Sequence, residues 1–208
     1  MPILQERFSG TSFLIPGTSK EQHVKEGKII LGIDPGTSVM GYGIIRGEKQ
    51  KPELLTLGII ELNKFKDHYV KIRRIFERTL QLIDQYHPDE LAIEAPFYGK
   101  NVQSMLKLGR AQGAAISAAL YRDLPIFEYA PRKIKMSITG QGNASKEQVA
   151  GILQSLMTIS TLPENLDATD GLAAAVCHYY QQDIPDHGGG YNSWKDFLAK
   201  NPGRLAGG

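Results

Sequence analysis

The chain has 208 residues, of which 41% are hydrophobic, and a formal net charge of +2 at pH 7. This length predicts one domain with a sizeable core. The small net charge excludes a positive field over the whole surface, so any DNA-binding surface has to come from local clusters of basic residues. The lone cysteine, Cys177, excludes a disulfide framework within the chain and is typical of a reducing compartment.

Residues 1–27 are polar, contain Pro and Gly breakers and lack the pattern of a secretory signal, so we predict a flexible N-terminal extension. No apolar run in the chain approaches the roughly 18 residues that span a bilayer, which predicts a cytoplasmic protein with no membrane partner. A folded domain is predicted over residues 28–182. It opens with three strands whose short links favour antiparallel neighbours, at 28–34, 41–46 and 54–61.

Helices and strands alternate after this meander, as the spacing of apolar residues indicates. One helix start is well marked, because Ser145 and Gln148 have the spacing of a capping box. Three strands followed by alternating helices and strands predict an α/β fold with a mixed sheet covered by helices. The predicted elements are a helix over 67–86, a strand ending at Glu94, a helix over 101–121, a strand over 125–129, a helix from about 145 and a helix over 167–181.

Two segments are candidates for contacts with other chains. The helix predicted over 101–121 is rich in Ala and Gly, and residues of that size permit close approach to the sheet or to a second subunit. Residues 183–208 contain a glycine run and are predicted to form a flexible C-terminal tail. Within the tail, Trp194, Phe197 and Leu198 have helical spacing and could dock on the protein's own surface or on a partner.

Four carboxylates stand where a metal-dependent nuclease would use them. Asp34 and Glu94 each end an apolar run, and an acid at the tip of a buried strand is costly to desolvate unless a cation or donor faces it. Asp167 and Asp170 are three residues apart at a helix start and project from one face. Taken singly, each acid also has an ordinary reading in a turn, a strand end or a helix terminus. Gathered in one fold, the four predict a hard-oxygen site suited to Mg²⁺.

The sequence around these acids resembles four blocks of the RuvC family of Holliday-junction resolvases. The resemblance covers about residues 28–181, in order, and departs from the family at Ala95-Pro96 and at Arg110-Ala111-Gln112, whose polar residues are reversed. Neither departure touches the acids, so both bear only on local DNA contacts. The blocks are Gly-Ile-Asp-Pro-Gly-Thr at 32–37 with Gly-Tyr-Gly at 41–43, Ala-Ile-Glu at 92–94 with Phe97 and Lys-Leu-Gly at 107–109, Phe-Glu-Tyr-Ala-Pro at 127–131 with 144–149, and Asp-Ala-Thr-Asp-Gly-Leu-Ala at 167–173.

This resemblance implies an RNase H-like fold with a mixed five-stranded sheet, and a homodimer that makes paired, symmetric nicks in a four-way DNA junction. It also implies branch-migration proteins of the RuvA and RuvB type as partners. Two Mg²⁺ ions per subunit would activate water and stabilise the leaving oxygen. Asp34 would be the bridging ligand, Glu94 would hold one ion, and Asp167 with Asp170 would hold the other.

Five further residues are candidates for DNA contacts. Lys135 and Lys146 resemble the family's phosphate-binding lysines, and Phe97 resembles the aromatic residue that stacks on bases opened at the crossover. Arg132 and Lys133 add positive charge to the basic stretch at residues 131–135 and are candidates for backbone phosphate contacts. Each of these residues also has an ordinary alternative role. A lysine on a helix is more often a solvated surface residue, and a Phe after a strand can pack over the end of the core.

Two residues of the last predicted helix are assigned structural roles. His178 lies eight residues after Asp170, which is not the spacing of a direct ligand pair. Cys177 has no basic neighbour and is interpreted as a small buried hydrophobe.

Three alternatives remain open. An ATP-dependent phosphotransferase of the actin and sugar-kinase type also begins with Asp, Gly and Thr on a hairpin, although that architecture duplicates the fold and needs a much longer chain. A nuclease of the same fold that cuts RNA would use the same chemistry. A non-enzymatic junction-binding protein would leave the four acids unused.

Overall fold

The computed structural model describes residues 27–47, 51–96 and 101–182. These residues form one five-stranded sheet with helices packed on its two faces. The strands are β1 (Ile29–Asp34), β2 (Val39–Arg46), β3 (Glu53–Glu61), β4 (Glu90–Glu94) and β5 (Ile126–Tyr129). The helices are α1 (His68–Tyr86), α2 (Val102–Leu120), α3 (Pro131–Thr139), α4 (Lys146–Met157) and α5 (Asp167–Gln182).

The sheet is mixed, with the strands in the order β3-β2-β1-β4-β5. β1, β2 and β3 form an antiparallel meander, whereas β4 runs parallel to β1 and β5 runs parallel to β4. Parallel neighbours need a crossover connection, and α2 supplies the one between β4 and β5. The predicted α/β, RNase H-like fold is confirmed, and the carboxyl ends of three parallel strands meet at one edge of the sheet.

The core is divided between the two faces because side chains alternate along each strand. Leu31 and Ile93 belong to the face that packs against α1 and α2. Ile30 and Ala92 belong to the opposite face, which packs against α4 and α5. The site-bearing elements β1, β4 and α5 therefore meet inside one apolar cluster, and this fixes their relative positions.

Helix α5 approaches the backbone of β1 and β2 closely. A side chain at Gly41 would collide with the backbone carbonyl of Asp167, and one at Gly171 would collide with the backbone of Gly41 and Tyr42. Glycine is needed at both positions because no Cβ fits between the two backbones. The contact sets the distance between the first turn of α5 and the strand that ends at Asp34.

Helix boundaries follow local capping chemistry. Asp67 caps α1 by accepting a hydrogen bond from the amide of Val70 at 2.9 Å. Ser145 and Gln148 form the predicted capping box at the start of α4. The predicted bounds of the five strands and of α1, α2 and α5 agree with the structure to within two residues.

One helix was not predicted. No element was predicted for the basic stretch after β5, and the structure places α3 there. Pro131 lies in the first turn, where its missing N–H costs nothing, and Gly140 ends the helix with a left-handed φ of 72°. Ile134 and Ile138 face the core at helical spacing, but two apolar residues in a nine-residue helix give a periodic signal too short to mark the helix.

Several predictions concern residues that the structure does not describe. Residues 1–26 of the predicted extension, the predicted tail from residue 183, and Phe97 all lie outside the described residues. The predicted domain bounds at 28 and 182 therefore stay predictions. None of the described helices combines the length and the apolar character that crossing a bilayer requires.

Candidate active site

The carboxyl ends of β1 and β4 bring two acids side by side. Ile33 pairs with Ile93 in the parallel register of these strands, so Asp34 and Glu94, the next residue on each strand, leave the sheet at the same edge. Both strands are buried up to these acids, which are themselves partly exposed. The two apolar runs thus deliver one carboxyl group each to a common point.

The first turn of α5 supplies the other two acids. Asn165 accepts a hydrogen bond from the amide of Asp167 at 2.9 Å where the helix begins, and Asp170 follows one turn later. Lys146, the first residue of α4, donates to the Asp167 carboxylate at 2.7 Å and also pairs with Asp170. The acids of α5 are therefore held by a lysine from a neighbouring helix.

A cleft of about 340 Å³ lies between these elements. Three of the four predicted acids line it, together with both lysines that were predicted beside the site, and the fourth acid is joined to it through the ion pair between Asp167 and Lys146. The charged residues of the lining are Asp34, Glu94, Asp170, Lys135 and Lys146.

Burial and mutual repulsion leave these acids short of compensating charge. Burial, followed by the charges of Glu94 and Asp170, raises the pKa of Asp34 to about 8. Burial and the charge of Asp170 raise the pKa of Glu94 to about 7. Burial also raises the pKa of Asp170, although its hydrogen bond from Lys146 opposes the change. A cation in the cleft would relieve both the desolvation and the repulsion.

The side chains of the cleft suit a divalent metal ion in chemistry and in charge. All four predicted ligands are carboxylates, and hard carboxylate oxygens are ligands that Mg²⁺ prefers. Within the described residues, no three acids, histidines or cysteines are close enough together to hold one ion as they stand. Lys146 already occupies Asp167 and Asp170, whereas neither Asp34 nor Glu94 has an ion pair in the described part of the chain.

Arg132 and Lys133, two further predicted DNA contacts, are not among the residues that line the cleft. The side chain of Arg132, in the first turn of α3, lies beside Gly142, which follows the helix. The ammonium nitrogen of Lys133 lies 5.2 Å from the ring centroid of Tyr129. Both residues are exposed, so they remain candidates for phosphate contacts outside the cleft.

Gln112 is one of the two polar residues of α2 whose order is reversed relative to the RuvC family, and its surroundings are not those of a DNA contact. Gln112 is buried, and its amide donates to the backbone carbonyl of Glu94 at 3.4 Å and to the carboxylate of Glu128 at 3.0 Å. It therefore supports the strand end that bears Glu94, and it is not a surface contact for DNA. Sequence order alone could not distinguish the two roles, because they differ only in burial.

A basic cluster beside the cleft was missed at the sequence level. Its members are His68 and Lys71 on α1 and Lys107 and Arg110 on α2. Desolvation and then the positive charges of the other three lower the pKa of His68, so all three cations lie near this imidazole. Lys71 also donates to the carbonyl of Thr37 at 3.0 Å, in the turn that follows Asp34. The cluster escapes sequence analysis because it is assembled from two helices that are distant in the chain.

Comparison with known proteins shows which family the chain is similar to. Residues 30–178 match the family described as crossover junction endodeoxyribonuclease RuvC, a span that includes all four acids. A protein of that name from Christiangramia forsetii is 59% identical over 188 residues, which cover 90% of this chain and 98% of that protein. Another from Bacteroides fragilis is 62% identical over 186 residues, which cover 88% of this chain and 98% of the relative.

Among solved structures, the chain is similar to RuvC of Thermus thermophilus in complex with a Holliday junction substrate. The TM-score is 0.69 and the identity is 27%, and the match covers 74% of this chain and 95% of that one. The free Thermus thermophilus RuvC structure matches with a TM-score of 0.67 and 28% identity.

Proposed function

The chain belongs to the RuvC family of crossover junction endodeoxyribonucleases, and we propose that it cuts four-way DNA junctions at a metal centre formed by Asp34, Glu94, Asp167 and Asp170. The observation that carries this proposal is the placement of Asp34 and Glu94 at paired strand ends, with Asp170 in the same cleft. Membership of a nuclease family sets aside the ATP-dependent phosphotransferase and the non-enzymatic binding protein.

We propose Mg²⁺ as the cofactor, with two ions per subunit. When bound, such a pair supplies a nucleophilic water near neutral pH and stabilises the leaving oxygen of a phosphodiester. Asp34 is the natural shared ligand because it ends the central strand of the sheet. Glu94 would serve one ion and the acids of α5 the other. The crowding of these carboxylates explains why a cation should also stabilise the fold.

The cations around the cleft would hold the DNA strand. Lys135 and Lys146 face the acids across the cleft, where an ammonium group can bind the phosphate that is cut. Phe97 follows the strand end that bears Glu94, and we propose that it stacks on a base opened at the crossover, a contact worth about 1–3 kcal/mol. Arg132 and Lys133 would contact phosphates farther along the backbone.

The basic cluster of α1 and α2 adds positive charge on the side of the cleft where the turn after Asp34 lies. It adjoins the turn after Asp34 through the hydrogen bond from Lys71 to Thr37. Lys107 and Arg110 are exposed and form no ion pair in the described part of the chain. We propose that these two side chains bind the phosphates of one junction arm, a contact that carries affinity and no sequence information.

We propose that the enzyme acts as a homodimer paired through α2. A stripe of exposed apolar side chains and open glycines runs along one face of this helix at helical spacing. A second copy can approach closely because nothing lies within 4 Å of the positions that a Cβ would take on the two glycines. A two-fold axis also suits two symmetric nicks. The α2 stripe consists of Val102, Leu106, Gly109, Gly113 and Leu120.

Partners and location rest on the relatives. We infer a cytoplasmic location because the relatives are bacterial enzymes named for cutting DNA. Association with branch-migration proteins of the RuvA and RuvB type stays a prediction, and its candidate residues in the tail lie outside the described residues. A nuclease acting on RNA remains the alternative substrate class.

Cleavage of a synthetic four-way junction tests the proposal, with linear duplex DNA and a folded RNA as comparison substrates and with Mg²⁺ or EDTA. We expect paired, symmetric nicks in the junction with Mg²⁺ and none with EDTA. Asp34→Asn should abolish cleavage while it leaves junction binding intact, and Phe97→Ala should weaken cleavage of the junction. Equal cutting of duplex or RNA would retain the metal centre and refute the junction assignment.

A further inference from the structure

A chain of polar side chains, buried except at Lys28, lies away from the cleft. Its members are Lys28, Glu90, His178 and Tyr129. Lys28 Nζ lies 2.5 Å from one carboxylate oxygen of Glu90, and His178 Nε2 lies 2.8 Å from the other. The hydroxyl of Tyr129 lies 2.6 Å from His178 Nδ1. The chain joins β4, β5 and α5 through side chains that take no part in the cleft lining.

These contacts determine the orientation of His178 completely. The Glu90 carboxylate can only accept, so Nε2 of the neutral imidazole donates to it and Nδ1 accepts from the hydroxyl of Tyr129. The ring of Phe127 stacks on the imidazole, with centroids 4.2 Å apart. With 2% of its surface exposed, His178 has one position, and that position is set by β4 and β5.

Glu90 and His178 lie on the same two elements as two of the proposed metal ligands. Glu90 precedes Glu94 by four residues on β4, a rise of about 13 Å at 3.3 Å per residue. His178 follows Asp170 by eight residues on α5, a rise of about 12 Å at 1.5 Å per residue. The two spans match, so a contact between Glu90 and His178 at one end places Asp170 opposite Glu94 at the other.

The contact between β4 and α5 is repulsive at one end and attractive at the other. At the cleft, the charge of Asp170 raises the pKa of Glu94, so these two acids repel and do not hold α5 on β4, and Asp170 pairs with Lys146 of α4. At the far end, a charge-assisted hydrogen bond in a buried setting holds the same elements together. Ala92 packs in the same apolar cluster as α5, midway between Glu90 and Glu94, so the link and the acids lie on one face of the strand.

We propose that Glu90 and His178 are positioning residues that set the register of α5 on β4, and thereby the separation of the carboxylates that bind metal. This inference rests on the proposed role of the four acids. His178 acts through Asp170, and Glu90 acts through Glu94. Tyr129 contributes by fixing the tautomer of His178, and its own backbone carbonyl accepts a hydrogen bond from Ala95, the residue after Glu94, at 2.9 Å.

Metal binding without DNA separates a positioning role from a merely stabilising one. The full-length, metal-free protein is titrated with Mn²⁺ and free Mn²⁺ is followed by electron paramagnetic resonance, while the Mg²⁺ concentration for half-maximal junction cleavage is measured in parallel. His178→Leu removes the link, and His178→Gln retains an amide that can donate to Glu90. Val176→Ala is the matched control, because it removes a buried apolar group from the same turn of α5 without touching Glu90.

We expect His178→Leu to weaken Mn²⁺ binding about tenfold, as loss of a group that orients a metal ligand does. The Mg²⁺ requirement for cleavage should rise in parallel, and His178→Gln should recover most of both losses. Val176→Ala should lower the melting temperature and leave both metal readouts at the wild-type value. If His178→Leu does not fold, Glu90→Gln keeps the volume of the side chain and should shift both readouts in the same direction.

Wild-type Mn²⁺ affinity in folded His178→Leu, or in Glu90→Gln, would overturn the inference and leave the polar chain a purely structural feature. Asp34→Asn is measured in the same series to keep the two proposals apart. If Asp34→Asn still cuts the junction, the proposed metal centre is wrong. If Asp34→Asn is inactive and the His178 and Glu90 variants bind metal normally, only the positioning role is wrong.

Discussion

The ammonium group of Lys146 lies 2.7 Å from the carboxylate of Asp167. The same ammonium pairs with Asp170, and these two hydrogen bonds raise the pKa of Lys146 although its burial alone would lower it. A side chain therefore supplies the positive charge that the acids of α5 require. Mg²⁺ and Lys146 should compete for these oxygens, and metal binding should release Lys146 toward the phosphate of the DNA strand.

Lys146→Met should therefore separate metal binding from catalysis. We expect Mn²⁺ to bind the DNA-free variant several-fold more tightly, because a competing cation is gone, and cleavage at saturating Mg²⁺ to fall about a hundredfold, as for loss of one preorganised charge. Titration with Mn²⁺ and single-turnover cleavage check the two effects. Lys51→Met is the control, because Lys51 is exposed just before β3, at the end of the sheet away from Asp34. Unchanged or weaker metal binding in Lys146→Met would contradict the competition.

The pKa of Asp34 makes the stability of the metal-free protein depend on pH. Burial and then the charges of Glu94 and Asp170 raise the pKa of Asp34 from its ordinary acidic value to about 8 in the fold. The folded state therefore binds the proton more tightly than the unfolded chain and loses stability as the pH rises through 8. We expect the free energy of unfolding in urea with EDTA to fall by about 1–2 kcal/mol from pH 7 to pH 9, since a tenfold change in proton affinity corresponds to about 1.4 kcal/mol.

Asp34→Asn should flatten this dependence and make the metal-free protein more stable than wild type at pH 9, because the uncompensated charge is gone. Mg²⁺ should flatten it in wild type by supplying the missing charge. Glu77→Gln, a change at an exposed acid on α1, should behave as wild type. A metal-free wild type that is equally stable at pH 7 and pH 9 would show that Asp34 is charged at neutral pH even without a bound cation.

Sequence alone was sufficient for the features that depend on local pattern. The apolar runs that end at Asp34 and Glu94 predicted two buried strands with acids at their tips, and the spacing of Ser145 and Gln148 predicted the start of α4. These features are local because a strand or a cap is specified by residues that are neighbours in the chain.

Features that depend on tertiary contacts could not be predicted in this way. Lys146 was predicted to bind phosphate, but only the packing of α4 on α5 shows that its ammonium first neutralises Asp167. The burial of Gln112 beneath Glu94 has no periodic signal in the sequence. The helical form of Pro131–Thr139 has only a short one, since two apolar residues face the core. His178 was predicted to be structural, and the structure shows it buried and hydrogen-bonded, but its partner Glu90 is 88 residues away in the chain.

The close contact between α5 and β2 predicts that Gly41 cannot be replaced. In Gly41→Ala, the new methyl group would meet the backbone carbonyl of Asp167, so α5 has to move and overpacking should destabilise the protein by about 1–3 kcal/mol. Because the first turn of α5 bears two acids, we expect cleavage to fall at least tenfold even where the protein remains folded. Urea denaturation and cleavage at saturating Mg²⁺ measure the two effects.

Gly151→Ala is the matched control for Gly41→Ala. Gly151 lies within α4 and has open space around the position of a Cβ, so alanine should raise stability by about 0.5–1 kcal/mol and leave cleavage unchanged. Normal activity in Gly41→Ala would mean that α5 can shift without moving its acids.

The basic cluster predicts a specific change in the salt dependence of DNA binding. Replacing both Lys107 and Arg110 by alanine should reduce the slope of log K against log salt concentration by about 2, because each phosphate contact contributes about 0.9. Binding should weaken equally for junctions of different sequence, and cleavage at saturating protein should be retained. Arg122→Ala is the control, since Arg122 pairs with Asp84 at the other end of α1 and α2. An unchanged slope in the double variant would place the DNA arm elsewhere.

The α2 stripe predicts that a charge at its centre separates the subunits. Leu106 is 52% exposed, and in Leu106→Arg two guanidinium groups would meet near a two-fold axis, so we expect a monomer by light scattering at concentrations where wild type is a dimer. The variant should still bind Mn²⁺, but on a supercoiled cruciform plasmid it should give mainly nicked circles in place of linear product, since the two cuts are no longer paired. Ile152→Arg, at an exposed apolar position on α4, should remain dimeric and produce linear plasmid. A dimer of unchanged mass in Leu106→Arg would show that the subunits pair through another surface.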